Sequence, residues 1–304
     1  MNNFVIIFFF LFLGLILQHV KQFPTDIYKT INKIVVYVCL PAITLFYIPK
    51  VKWSTELLFP MGAGWISFIV AFAFFHFLGR KFGWSNKLIG CLILTAGLSN
   101  TSFLGYPIIE ALYGKEGLKT AVLVDQAGTF VVVSTLGVFV AAFYSKGTPD
   151  AASILKKVFL FPPFITFVVA CFMNIFKYDF EESLQSYLLQ LGSFVTPLAL
   201  SSVGLQLRFD RRSQHWKFLG LGLLFKLILI PFIILVVYVF ILKQHSQVIK
   251  VTIMEMAMAP MITGAILATT YGLKPRLSSM MIGFGIPISF LTLAVWYFIL
   301  NFVI

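Results

Sequence analysis

Long apolar runs alternate with short polar joints along this chain, and most runs match the thickness of a bilayer core. Ten runs are read at 4–20, 31–49, 58–79, 88–113, 118–144, 155–176, 186–207, 216–242, 249–271 and 277–302. A spanning helix needs about 20 predominantly apolar residues, so the pattern predicts an all-α polytopic membrane protein with ten transmembrane helices. The first run, Phe4 to Leu17 at its most apolar, has the look of a signal-peptide core. No basic residue precedes it and no small-x-small cleavage site follows, so it is expected as a short, retained first span. The longest joint, Ser145 to Lys157, holds Gly147, Pro149 and Asp150 and falls at the midpoint.

Two of the runs are interrupted. The fourth carries Ser99, Asn100, Thr101 and Ser102 in a row, with Gly97, Gly105 and Pro107 around them. The ninth carries Met258, Pro260, Thr263 and Gly264. Lipid offers no partners to backbone groups, so a broken span survives only where it is buried in protein or lines a cavity. One broken span per half points to a transporter's substrate site. The bland alternative for each is a proline-kinked packing helix, since small polar residues also join spans.

The halves echo one another. Pro41 in span two matches Pro197 in span seven, and Tyr113-Gly114 after span four matches Tyr271-Gly272 after span nine. The pattern divides the chain into a first five-helix repeat at 1–144, a cytoplasmic linker at 145–157 and a second repeat at 158–304. Five is odd, so the second repeat is expected inverted relative to the first. Inverted repeats with broken helices are a secondary-transporter architecture.

Composition agrees with the pattern. The chain is 60% hydrophobic and 11% charged, with 35 Phe, against about 25% charged in soluble domains. The net charge of +12 does not signal nucleic-acid binding, because the basic residues sit in short joints beside apolar spans, where they set orientation and meet lipid headgroups. Joints after odd spans hold fifteen: Lys21, Lys29, Lys33, Arg80, Lys81, Lys87, Lys146, Lys156, Lys157, Arg208, Arg211, Arg212, Lys217, Lys274 and Arg276. Joints after even spans hold seven: Lys50, Lys52, Lys115, Lys119, Lys177, Lys243 and Lys250. The bias makes the odd joints cytoplasmic and puts both termini outside, in a plasma or inner membrane.

Charges within apolar runs are the candidate chemistry. Asp125 lies in span five, Lys226 in span eight just before the kinking Pro231, and Glu255 in span nine about a turn before the break. Charges at membrane depth usually face the interior and are paired or functional. Asp125 or Glu255 is a natural carrier of a proton or sodium ion. Lys226 would hold an anionic substrate or neutralise a carboxylate. The competing readings are interfacial positions for the two acids and a snorkelling side chain for Lys226. Glu110 is expected at the interface, and His76 as a hydrogen-bonded packing residue. Cys39, Cys91 and Cys171 fall inside runs and read as packing residues, with no disulfide or metal pattern. The sequon Asn100-Thr101-Ser102 lies inside a span and is set aside. Pairs such as Gly62/Gly64, Gly220/Gly222 and Gly283/Gly285 would permit close helix packing. Zinc-protease, hydrolase, Walker and Cys-x-x-Cys motifs are absent, so no enzyme activity, metal or cofactor is expected, and an ion gradient or downhill flow would drive transport.

The stretch Gly97-Leu-Ser-Asn-Thr-Ser-Phe-Leu-Gly-Tyr-Pro-Ile-Ile-Glu-Ala-Leu-Tyr-Gly-Lys-Glu-Gly-Leu118 resembles the fourth-span signature of the auxin efflux carrier family. Ala121 to Asp125, Lys226 to Pro231 and Glu255 to Ala268 fit it as well. The resemblance implies a fold shared with bile-acid/sodium symporters, in which spans four and nine cross. It implies a transport domain (spans 3–5 and 8–10) moving like an elevator against a scaffold (spans 1, 2, 6 and 7). It also implies organic-anion substrates: auxin in plants, malonate or malate in bacteria. Asn100, Pro107, Glu255 and Pro260 carry over as site residues. The short central joint resembles compact, bacterial-type members, and Ser99 and Thr101 beside Asn100 depart from the proline of plant auxin carriers. The expected partners are therefore a small organic anion, a coupling proton or sodium ion, and lipid; homodimerisation is left open. A sodium-coupled bile-acid-like carrier and a transporter-fold sensor are the alternatives.

Overall fold

The structure, a computed structural model, describes residues 2–20, 24, 26–52, 54–145, 160–207 and 215–304. Among these residues the regular structure is helical, and the one strand-like feature is an isolated antiparallel bridge. Among the described residues, six helical segments are long and apolar enough to cross a membrane: Ile27–Lys50, Thr55–Lys81, Thr101–Ser145, Glu182–Gln206, Trp216–Ile241 and Pro275–Val303. Val5–Leu17, Asn86–Ala96 and Pro162–Ile175 are shorter apolar helices. The expected ninth span is two half-helices, Gln247–Met256 and Ile262–Thr270. Most of the central joint expected at 145–157, and with it Lys146, Lys156 and Lys157, lies outside the described residues, as do Lys21, Arg208, Arg211 and Arg212.

Thr101–Ser145 is too long for one crossing, and its internal helix Tyr106–Leu123 is broken at Gly114, with φ 67° and ψ −164°. Gly272, its counterpart in the second half, also has φ 67°. A Cβ would meet nothing within 4 Å at either position. Backbone conformation, and not lack of space, therefore calls for glycine here.

Prolines shape the helices in a second way. Five-residue π-helical turns at Val35–Cys39, Thr101–Gly105 and Phe225–Leu229 end just before Pro41, Pro107 and Pro231. A proline offers no N–H and its ring presses on the carbonyl four residues back. Widening the turn moves that carbonyl aside without breaking the helix. At Pro231 the carbonyl in question is that of Leu227, and the Trp296 indole N–H donates to it at 2.9 Å. Pro197 lies in the first turn of Val195–Gln206, where backbone N–H groups have no helical partner anyway.

By spatial proximity the chain falls into two compact units. The first takes Met1–Thr55, Ser102–Val122 and Phe159–Leu207. Within it, helices Asn2–Leu17 and Val195–Gln206 meet at their backbones: a Cβ on Gly14 would fall 2.1 Å from the Ser201 carbonyl oxygen, and one on Gly204 2.3 Å from that of Leu11. Asn174 Nδ2 reaches the Ile48, Pro49 and Val51 carbonyls at 2.7–3.0 Å, securing the chain where Ile27–Lys50 ends.

The second unit takes Glu56–Thr101, Leu123–Val158 and Arg208–Ile304. Its core includes Phe68, Phe75, Ile89, Leu92 and Phe225. Helix Leu58–Lys81 lies close to the π-helical turn Val124–Thr129, where a Cβ on Gly64 would come within 2.8 Å of the Thr129 nitrogen. Large apolar side chains also face outward, with Phe302 92%, Leu291 73% and Phe77 70% exposed. Exposed large apolar side chains such as these suit a lipid surround.

Candidate functional site

Both interrupted segments begin as ordinary helices. Ser85 caps Asn86–Ala96 by accepting from the Leu88 N–H at 3.4 Å, and Ser246 caps Gln247–Met256 by accepting from the Ile249 N–H at 3.3 Å. Helix is then lost at Gly97–Asn100 and again at Ala257–Met261. It resumes at Thr101 in the first segment and at Ile262 in the second.

The two breaks cross within the second unit. Ser99 and Pro260 face each other as an antiparallel pair. The Asn100 N–H donates to the Ala259 carbonyl at 2.9 Å, and the Met261 N–H to the Leu98 carbonyl at 3.1 Å. Each break thus supplies the backbone partners that the other has lost, which a spanning segment needs. The bonds come from the neighbours of the facing pair, so Pro260 stands where no N–H is required. Close packing holds the crossing: a Cβ on Gly264 would fall 2.6 Å from the Leu94 carbonyl oxygen, and one on Gly285 2.7 Å from Pro260 Cδ.

The first break covers Gly97–Asn100, the upstream part of the interrupted stretch. Pro107 does not open it, because the π-helical turn Thr101–Gly105 absorbs the proline. The glycine and small polar residues from Gly97 to Asn100 leave the helix instead, held by the second segment.

The three deep charges are all buried: Asp125 at 2%, Lys226 and Glu255 at 0% exposure. Lys226 sits in the π-helical turn Phe225–Leu229, and its Nζ donates to Ser99 Oγ at 2.5 Å and to the Met256 carbonyl at 2.8 Å. Asp125 sits in the turn Val124–Thr129. It accepts from Thr101 Oγ1 at 2.5 Å and from Gln126 Nε2 at 2.8 Å. Glu255 has Asp125 and Lys226 in electrostatic range, yet neither of its oxygens has a hydrogen-bond partner. The side-chain nitrogen of Asn100, Gln126 Oε1 and Thr129 Oγ1 are likewise buried without partners. An unmet buried polar atom costs about 1–3 kcal/mol, so this concentration of them in one unit calls for an explanation.

The structure therefore brings Ser99, Asn100, Thr101, Met258, Pro260, Thr263, Gly264, Asp125, Lys226 and Glu255 into one unit, together with Pro231. Ser102, Gly105 and Pro107 group with the other unit, as do Pro41 and Pro197. Thr263 is exposed and Met258 buried. His76 bonds Tyr144 Oη at 2.5 Å. Gln126 and Thr129 escaped the sequence reading; the signal was the polar spacing Asp125-Gln126-x-x-Thr129 inside an apolar run. Among the described residues no group of three or more His, Cys, Asp or Glu could hold a metal ion. Hydroxyls, amides, carboxylates, carbonyls and one ammonium make up the crossing, a set suited to a small polar solute or a hard cation.

A family model described as membrane transport protein matches residues 1–297, nearly the whole chain. The chain belongs to the membrane transport protein family. This is the family of the auxin efflux carriers, in keeping with the resemblance carried by the fourth span. An uncharacterized transporter of Methanocaldococcus jannaschii is 28% identical over 285 residues, covering 90% of this chain and 89% of that one. Another, of Methanothermobacter thermautotrophicus, is 27% identical over 297 residues, covering 95% and 94%. With several apolar helices and this membership, the protein is a multi-pass membrane transporter. The crossing of the two interrupted helices is thus the candidate site of a membrane transport protein family member.

Proposed function

We propose that this transporter moves a small organic anion, a mono- or dicarboxylate, by secondary active transport driven by a proton or other ion gradient. The observation that supports this most is the paired crossing at Ser99 and Pro260, with unpartnered polar atoms buried in the same unit. Asn100 would offer its unpartnered side-chain N–H donors to a carboxylate, with Thr101, whose hydroxyl donates to Asp125, beside it, aided by the N-terminal ends of the helices resuming at Thr101 and Ile262, which favour negative charge. Met258, Thr263 and Gly264, in the same unit, would shape the path around it. Glu255, a buried carboxylate without donors, would carry the coupling proton or cation, with Asp125 as the alternative carrier. In this reading ten spans form two inverted repeats, and spans 3–5 and 8–10 move as an elevator against spans 1, 2, 6 and 7, with both termini outside.

The second reading is a sodium-coupled carrier of bile-acid type. Broken-helix carbonyls are sodium ligands elsewhere, and the crossing supplies such carbonyls. Uptake into proteoliposomes decides between them. The proposal expects carboxylate uptake that follows a pH gradient and persists when choline replaces sodium. Uptake that stops without sodium favours the second reading, and no uptake of any mono- or dicarboxylate overturns the substrate class.

A further inference from the structure

We infer that the Lys226 ammonium is a built-in cation at the helix crossing, taking from within the place that an exchangeable metal cation would hold. The inference rests on the reading of the crossing as a transport site and specifies its cation requirement. Lys226 is fully buried, and its two hydrogen bonds go to one residue from each interrupted segment. Ser99 belongs to the first break. Met256 is the last residue of the half-helix Gln247–Met256. Its carbonyl lies at the negative end of the helix dipole and lacks a helical N–H partner. A main-chain carbonyl at a half-helix C-terminus together with a hydroxyl is the kind of oxygen set that holds a sodium ion in a transporter.

The ammonium does not act mainly as an ion-pair partner. Among the described residues the ion pairs are Lys29 with Asp26, Lys50 with Asp179, and Lys119 with Glu116. Glu255 is in electrostatic range of Lys226, but both its oxygens remain without hydrogen bonds. The lysine thus spends its short contacts on neutral oxygens while an acid stands nearby. That choice fits a cation that fastens the two breaks together. The π-helical turn before Pro231 carries Lys226 and thereby places it between them.

The test uses the full chain, purified and reconstituted, with thermal unfolding read in sodium chloride, methylammonium chloride and choline chloride. Wild type should give the same midpoint in sodium and in choline. Lys226→Ala should unfold at a lower temperature in choline and regain part of the loss in methylammonium or sodium, which fit the vacated space as choline does not. Lys226→Met, which refills that space without charge, should regain nothing in any salt. Lys226→Gln keeps the stem and a donor, so it serves if the alanine variant does not fold, and it should be restored in part by sodium. A wild-type midpoint raised by sodium overturns the inference. So does a Lys226→Ala midpoint, or a Lys226→Gln midpoint where the alanine variant does not fold, that is the same in all three salts. No carboxylate enters these measurements, so their failure leaves the carboxylate reading standing, and failed carboxylate uptake leaves this inference standing.

Discussion

Asn100→Ala separates a binding role from a structural one. The residue is 2% exposed, and its backbone N–H, which the substitution keeps, holds the Ala259 carbonyl. Its side-chain nitrogen has no partner, so truncation removes no hydrogen bond made by that group. Losing an unmet buried donor relieves about 1–3 kcal/mol. The space left behind costs about 1 kcal/mol, so the two effects nearly cancel and the unfolding midpoint should barely move. Binding should change much more. A hydrogen bond to a charged group contributes about 1.5–3 kcal/mol, which at ~1.4 kcal/mol per decade is roughly a ten- to 150-fold weaker carboxylate affinity. Thermal unfolding and concentration-dependent uptake, measured on the same preparation, read both quantities. Unchanged affinity would refute the binding role. A large drop in midpoint would show that the amide is structural.

Three further outcomes follow from the geometry. Gly264→Val puts branched carbon against the Leu94 carbonyl, 2.6 Å from an ideal Cβ; overpacking of about 1–3 kcal/mol should lower the midpoint and cut transport together. Gly272→Ala meets no steric neighbour, so its cost should be the left-handed backbone alone, about 1–2 kcal/mol, with transport kept once the protein is folded. His215, just outside Trp216–Ile241, is held below its usual pKa of 6.5 by burial first and then by the charges of Lys274 and Arg276. The unfolded chain then binds more protons between that lowered value and 6.5, so stability rises with pH across this window and is lost as pH falls. His215→Gln should lose less midpoint on acidification than wild type.

Much of the architecture is written in the apolar runs, because lipid demands continuous helix and the chain complies or visibly fails to. Glycine 114 and glycine 272 were legible as a matched pair, and both have the same positive φ. Proline was a mixed guide. Pro260 does mark a break, whereas Pro107 is absorbed by a wider turn and the first break falls at Gly97–Asn100. Nothing local could reveal this, since the second segment supplies the hydrogen bonds that hold the first open. The same applies to Lys226. Its burial could be guessed from its apolar neighbours, but its bond to Ser99 joins residues 127 positions apart. Gln126 and Thr129 were hidden because a π-helical turn changes which positions share a face, and ordinary helical spacing does not anticipate it.

The central claim is that a small organic anion binds at the crossing of the interrupted helices. Thr263 tests it most directly, being exposed on the second segment beside the crossing. With Cys39, Cys91 and Cys171 replaced, the rate at which Thr263→Cys reacts with a small thiol reagent is measured in membrane vesicles, with and without the carboxylate that the protein takes up. The account predicts that this carboxylate slows the reaction in proportion to its occupancy, and that Asn100→Ala removes the protection at the same concentration. A rate unaffected by a saturating, transported carboxylate would contradict it.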